Sequence, residues 1–292
     1  MNLLTKFNLI LVFLFGSGLL LVSRFAKDFL IDNARQQVIQ QAELMVESAQ
    51  STRSYTNEDV KPLLNKLPEQ DAFIPETVPA FAATETFNRM RKNFPEYAYK
   101  EATLNPTNPR DRAVDWEADV VNYFRDNPGK KELVGERETP TGRSLYLAHP
   151  MAAPPNCLGC HSTPDKAPAS MIRTYGPSNG FGWQPNEIVA AQIVSVPMAL
   201  PISIADKAYH RLLIYLVVIF FATLAAVDLL LVFIVIRPVQ KLAQNADRLS
   251  KGDLDTPQLA VKGKDEISAL TASFNRMDVS LRKALTMISE EE

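Results

Sequence analysis

The chain is short of the residues from which several common kinds of site are built. It carries 3 histidines and 2 cysteines in 292 residues. So few histidines supply a Ser-His-Asp hydrolase or a His-built metal centre poorly. No basic tract occurs and the formal net charge is −2, so nucleic acid is not an expected partner. Glycine is scarce as well, at 11 residues, while 46% of the chain is apolar. That composition allows one folded domain of ordinary size plus extra segments.

What is present is concentrated. Both cysteines fall in Cys157-Leu158-Gly159-Cys160-His161, so no thiol remains for a disulfide. Two thiols three residues apart on one short turn can add across the two vinyl groups of a haem. The adjacent His161 then offers an imidazole nitrogen to the iron, so the motif reads as attachment of one covalent haem c. Half of a zinc site is the alternative. It would need four ligands, recruiting two of His149, His161 and His210 or carboxylates, and nothing is spaced for that.

The apolar residues are unevenly spread. Leu212–Ile236 carries one charge, Asp228, and is long enough for a bilayer that needs about 20 residues. Arg237 and Lys241 follow it and mark that end as cytoplasmic. Phe7–Ser23 follows Lys6 and is apolar apart from Asn8 and Ser17. Val22-Ser23-Arg24-Phe25 is a poor cleavage site, so an uncleaved signal anchor is expected over 1–23 rather than a removed signal peptide. Residues 24–211 then lie in the periplasm, outside the inner membrane, on the side where haem is coupled to C-x-x-C-H. Asp228 is expected to face a dimer axis or a polar residue of the first span such as Ser17, or to have no role.

Along the extracytoplasmic part, Ile31, Ala34, Val38, Ala42, Met45 and Ala49 share one helical face, so a long helix continues out of the first span. A capping-box-like Thr56-Asn57-Glu58-Asp59 predicts a second, shorter helix, and Pro68, Pro75 and Pro79 a loop. Helices are expected over 80–92 and 112–125, a strand over 97–104, and a turn at Asn105-Pro106-Thr107-Asn108-Pro109. Residues 131–138 and 143–148 read as a hairpin, and 187–196 as the strongest strand. The expected fold class is α+β: a PAS- or cache-like haem domain with a small antiparallel sheet, two transmembrane helices and a C-terminal helical bundle.

That bundle is read from Pro238, the stripe Leu242, Ala246 and Leu249, then Gly252-Asp253-Leu254. A second helix from Asp265-Glu266 repeats Ile267, Leu270, Phe274, Met277, Leu281, Ala284 and Ile288, a coiled-coil seam that needs a partner helix. These motifs, with Phe274-Asn275, resemble a HAMP domain over 237–292, which implies a homodimer. Little follows the seam before Glu292, so the output is expected in a separate cytoplasmic kinase or other signalling protein, or beyond this sequence.

Opposite His161, the candidate distal ligands are His149, eight residues before Cys157, and Met45 on the long helix; Met90, Met151 and Met171 are weaker versions. Arg53 and Tyr55 could contact a propionate or a ligand, and Trp183 and Tyr175 either pack on the macrocycle or fill the core. Residues 99–109 (Tyr-Lys-Glu-Ala-Thr-Leu-Asn-Pro-Thr-Asn-Pro), Asp115-Trp116-Glu117, Cys157–His161 and Phe181-Gly182-Trp183 resemble a family of c-type haem sensor domains with a PAS-like fold. The resemblance covers roughly residues 30–200. It implies redox or ligand sensing, with His161 as axial ligand. In such domains a cysteine can supply the opposite ligand, and this chain has none to spare. A membrane-tethered electron carrier is the alternative, to which a HAMP domain would be of no use.

Overall fold

In the computed structural model, which describes residues 3–66, 73–253 and 255–290, helix α1 runs unbroken from Leu3 to Tyr55. No Gly or Pro interrupts residues 19–61, so nothing local stops it. The expected fresh start at Thr56 does not occur. Thr56–Val60 instead forms one π turn, in which the Lys61 N–H reaches the Thr56 carbonyl, before the short helix α2, Lys61–Leu64. Pro62 is the reason, because it lacks the N–H that an α-helix would aim at the Glu58 carbonyl. Thr56 Oγ1 donates back to the Thr52 carbonyl at 2.7 Å, which is bonding within a continuing helix rather than a cap. Pro68 of the expected loop and Leu254 of the connector lie outside the described residues.

Within residues 27–209 the other elements are α3 (Pro79–Met90), β1 (Ala98–Thr103), α4 (Asp115–Asp126), β2 (Leu133–Thr139), β3 (Gly142–Ala152), α5 (Leu158–His161), α6 (Ala169–Tyr175) and β4 (Ile188–Pro197). The sheet is antiparallel with order β1-β4-β3-β2. The last strand in sequence is therefore central, and both of its faces are covered. That is why it reads as an almost continuous apolar run instead of an alternating one.

One face packs on α1 and α3 through Val38, Ala42, Val46, Ala49, Phe87, Tyr99, Leu145, Leu147, Val194 and Val196. The other packs on α4 through Ala102, Val120, Val121, Phe124, Ala148, Ala191 and Ile193. On α1 the buried stripe is Ala34, Val38, Ala42, Val46 and Ala49. Met45 sits beside it, half-buried, one position off the expected register.

The remaining described residues hold α7 (Ala199–Leu230), α8 (Arg237–Ser250) and α9 (Glu266–Glu290). Two helices, Leu4–Leu64 and Ala199–Ser250, contain stretches long and apolar enough to cross a membrane. Between them Asn8 Nδ2 donates to Asp228 Oδ2 at 3.0 Å, and Phe15 meets Phe220 with ring centroids 5.8 Å apart. The partner of Asp228 is thus Asn8 and not Ser17, whose hydroxyl donates to the Leu14 carbonyl of its own helix. A second π turn, Leu231–Ile236, precedes Pro238 just as the first precedes Pro62.

The motif residues of the tail have definite jobs. Asn275 brackets Leu259 of the connector, donating to its carbonyl at 2.7 Å and accepting its N–H at 3.3 Å. Asp265 accepts the Ser268 N–H at 2.8 Å and so caps α9. Asp253 pairs with Arg248 at 2.7 Å. Leu270, Met277 and Leu281 remain 49%, 54% and 40% exposed in the single chain, an apolar stripe without cover.

Candidate haem-attachment site

Cys157 ends the 3₁₀ turn Pro155–Cys157 and α5 carries the rest of the motif. Helical spacing brings Cys157 and Cys160 onto neighbouring positions of one turn, and both thiols are free and half-buried. Burial pushes the Cys157 thiol above its ordinary pKa, opposed by the positive charges of Arg53 and Lys61. The motif therefore lies within electrostatic reach of the end of α1.

His161 is held on several sides. Its Nδ1 lies 2.7 Å from the Gly180 carbonyl oxygen. A carbonyl only accepts, so Nδ1 carries the proton and the lone pair is on Nε2. Trp183 stacks on the ring, with centroids 4.1 Å apart and planes 13° from parallel. The loop holding these groups is tied back to α5, since the Gly182 N–H donates to the Ser162 carbonyl at 3.0 Å and the Trp183 N–H to the His161 carbonyl at 3.3 Å. Burial holds the imidazole below the ordinary histidine pKa, opposed by the bond to Gly180.

These features fit the expected haem. A ligating histidine characteristically gives its second N–H to a carbonyl, which fixes the tautomer and strengthens the donor. Here that arrangement exists beside two unpaired thiols. Among the described residues no three His, Cys, Asp or Glu side chains converge on one point, so the half-zinc alternative gains no further ligands.

The other candidates are placed as follows. Met45 packs against the apolar cluster between α1 and the sheet. His149 lies on β3 opposite Gln192 of β4; its Nε2 is buried without a hydrogen-bond partner, and Glu132 Oε2 is 4.0 Å away. Met90 joins the α1-side cluster, Met171 is buried in α6, and Met151 packs in a small cluster that includes Trp183. Tyr175 meets Phe73 edge-on, and Tyr55 is 61% exposed.

Arg53 points to a polar ladder that sequence reading misses. Arg53 Nη1 donates to Glu101 Oε1 and Oε2 at 2.5 and 2.6 Å. Tyr99 Oη donates to Glu101 Oε1 at 2.7 Å, Gln192 Nε2 to Tyr99 Oη at 2.8 Å, and Gln50 Nε2 to Gln192 Oε1 at 2.7 Å. Burial works against the Arg53 charge, but the Glu101 carboxylate reverses this and holds its pKa above the ordinary value. Burial, then Glu101, drives the Tyr99 phenol far upward. The one signal in the sequence was Gln192, a polar residue inside the apolar run of β4.

A family model described as Tll0287-like matches residues 31–197, and a HAMP domain model matches residues 230–282. No curated protein matches the chain. Among solved structures, the crystal structure of the cyanobacterial heme-protein Tll0287 is similar at 13% identity, with a TM-score of 0.42, over 55% of this chain and 94% of that one.

Proposed function

The chain belongs to the Tll0287-like family, whose match spans residues 31–197, with a HAMP domain behind it, and on that premise we propose a c-type haem sensor of redox state or of a diatomic gas. The protein is a membrane signal-transduction sensor. In this reading Cys157 and Cys160 hold one haem covalently and His161 is its proximal ligand, with the distal position open to His149, Met45 or an external ligand. When bound, the haem would supply a one-electron couple and, at a free sixth position, a site for a gas. The observation that carries the reading is the His161 Nδ1–H bond to Gly180, which leaves Nε2 as the donor beside two free thiols.

The domain order follows from the same reading. Residues 1–23 are a signal anchor, 24–211 the periplasmic haem domain, 212–236 the second span of the inner membrane, and 237–292 the cytoplasmic HAMP domain. The uncovered stripe of α9 is closed by a second copy in a homodimer. A cytoplasmic kinase or other signalling protein reads the packing of that bundle. Any stimulus must favour one packing over the other, since equal affinity for both shifts nothing.

The chain's own contribution is positional. Gly180 and Trp183 orient His161, and the ladder from Gln50 through Gln192, Tyr99 and Glu101 to Arg53 ties β4 and β1 to α1. A membrane-tethered electron carrier would need the haem but not the HAMP domain, which weighs against that alternative. The test is the full chain purified from a host competent in cytochrome c assembly. We expect c-type absorption bands and colour that survives denaturation, lost in the Cys157→Ala/Cys160→Ala double variant. We also expect stimulus-dependent partner output to vanish in His161→Ala. A colourless wild-type chain, or normal output from His161→Ala, overturns the proposal.

A further inference from the structure

The carbonyl that orients His161 belongs to a buried residue which is itself held from outside its loop. The Gly180 N–H donates to Asn105 Oδ1 at 3.3 Å, and Asn105 Nδ2 makes a longer 3.5 Å contact with the Phe181 carbonyl. Asn105 stands at the start of the turn that leaves β1. Two residues on, Thr107 Oγ1 lies 3.5 Å from His161 Nδ1. Gly180 has φ +82, and a Cβ there would collide with the Thr107 backbone and hydroxyl. The turn after β1 and the loop before β4 are thus in close backbone contact directly behind the imidazole. Only glycine fits at that point.

We infer that Asn105 is a positioning residue for the iron ligand: through Gly180 it fixes the ring orientation and proton placement of His161, and so sets the donor strength that a haem iron meets there. This rests on the reading of His161 as the proximal ligand. The physical basis is the outer-shell bond of a metal-binding histidine. A firmly placed acceptor on Nδ1–H makes Nε2 a stronger donor and favours the ferric state, and loss of such a partner typically costs 10–100-fold in affinity or activity. β1 then has two jobs. Its far end delivers Asn105 and Thr107 to the ligand, and its middle, at Tyr99 and Glu101, holds Arg53 of α1.

The experiment uses the full chain in detergent, with and without haem. Histidine-selective ¹⁵N labelling gives 3 side chains to resolve, and two-bond nitrogen–proton spectra of the haem-free protein report the tautomer of each. Wild-type His161 is expected as the Nδ1–H tautomer. Asn105→Ala is expected to give a mixture, and Asn105→Asp, which keeps the acceptor for Gly180, to behave as wild type. In the haem-loaded protein, Asn105→Ala should lower the ferrous iron–histidine stretching frequency. It should also move the ferrous-to-ferric ratio at fixed poise about tenfold toward ferrous, about 59 mV for a one-electron couple, with Asn105→Asp again near wild type. An Nε2–H tautomer in the haem-free wild type overturns the inference without any variant. So does an Asn105→Ala protein with unchanged tautomer and potential. A wild-type chain that takes up no haem defeats the proposed function instead, and the tautomer spectra still decide the role of Asn105.

Discussion

Two carboxylates, Glu101 on β1 and Glu117 on α4, are almost equally hidden from water and meet a cation on opposite faces of the same sheet. Their side chains are 7% and 9% exposed, and their partners Arg53 and Lys100 stand 2.5 and 2.6 Å away. Beyond that the two differ. Glu117 also accepts the Val114 N–H at 2.9 Å, and Lys100 also donates to the Arg112 carbonyl, so this pair closes the start of α4 onto the neighbouring strand. Glu101 is one member of a ladder running from Arg53 to Gln50, two residues of α1 on either side of a chain of strand side chains. Apolar stripes alone let a helix slide on a sheet at little cost, because burial has no direction. Paired polar groups do not, because any slip strands them. The α4 face needs a fixed helix start, whereas the α1 face has a helix whose register is pinned near its end, at Gln50 and Arg53.

The sharpest way to break this contrast is to remove the cation on each side. Arg53→Met leaves the Glu101 carboxylate buried without its cation, held only by the Tyr99 hydroxyl, and a loss of about 3–5 kcal/mol is expected for such a change. Lys100→Met leaves Glu117 its bond from the Val114 N–H and is expected to cost less, about 1–3 kcal/mol. Denaturant unfolding of the haem domain within the full chain measures both. The double variant Arg53→Met/Glu101→Leu should recover most of the stability while stimulus-dependent output stays low. Equal losses for Arg53→Met and Lys100→Met, or normal output from the double variant, would erase the distinction between the two faces.

A smaller cut tests whether the ladder acts as a unit. Gln192→Leu keeps the volume of β4 but takes the acceptor from Gln50 and a donor from Tyr99, with an expected cost of about 1–3 kcal/mol. Its neighbour Ile193 faces α4, and Ile193→Val is expected to cost about 0.5–1.5 kcal/mol from lost packing. If the ladder is cooperative, Gln192→Leu combined with Arg53→Met should cost less than the sum of the two changes. Strict additivity would reduce the ladder to independent contacts.

Much of this contrast was hidden in the sequence for physical reasons. Local signals were sufficient for what is local. The thiol–histidine turn, both apolar runs, the hairpin of β2 and β3, and the Pro, Gly-Asp, Asp-Glu and Phe-Asn positions of the HAMP domain are each written within a few residues of one another. Strand order was not, because β4 reaches the centre of the sheet only through pairings with residues far away in sequence. The first π turn was misread, because a capping pattern at Thr56 predicts a helix start and Pro62, six residues on, decides otherwise. Asp228 stood out as a polar residue in an apolar run, and Gln192 breaks the run of β4 in the same way. Their partners, Asn8 and Tyr99 with Gln50, lie across tertiary contacts that no periodicity encodes. Asn105 looked only like a turn residue, since its second role depends on a loop 75 residues later.

A further small effect comes from a third carboxylate, on the Lys100 side of the comparison. Asp111 follows Arg110 at the end of the turn after β1, and burial raises its pKa from 3.8 to about 6, with Arg110 and Lys100 opposing and Glu101 adding to the rise. An acid whose folded pKa lies above its unfolded value holds its proton longer when folded. Between about pH 4 and pH 6 unfolding therefore releases a proton, and stability falls as the pH rises through that window. Asp111→Asn removes the titration. The variant should gain on the wild type from pH 4 to pH 6 and then hold a constant advantage, on the order of 1 kcal/mol once screening at a partly exposed site is allowed for. Melting temperatures of the two proteins across that range give the difference directly, and effects common to both cancel. A wild-type protein that instead gains on Asp111→Asn as the pH rises would mean that Arg110 and Lys100 outweigh burial. The α4 face would then be the more strongly charge-paired of the two, and the contrast drawn from Glu101 and Glu117 would be reversed.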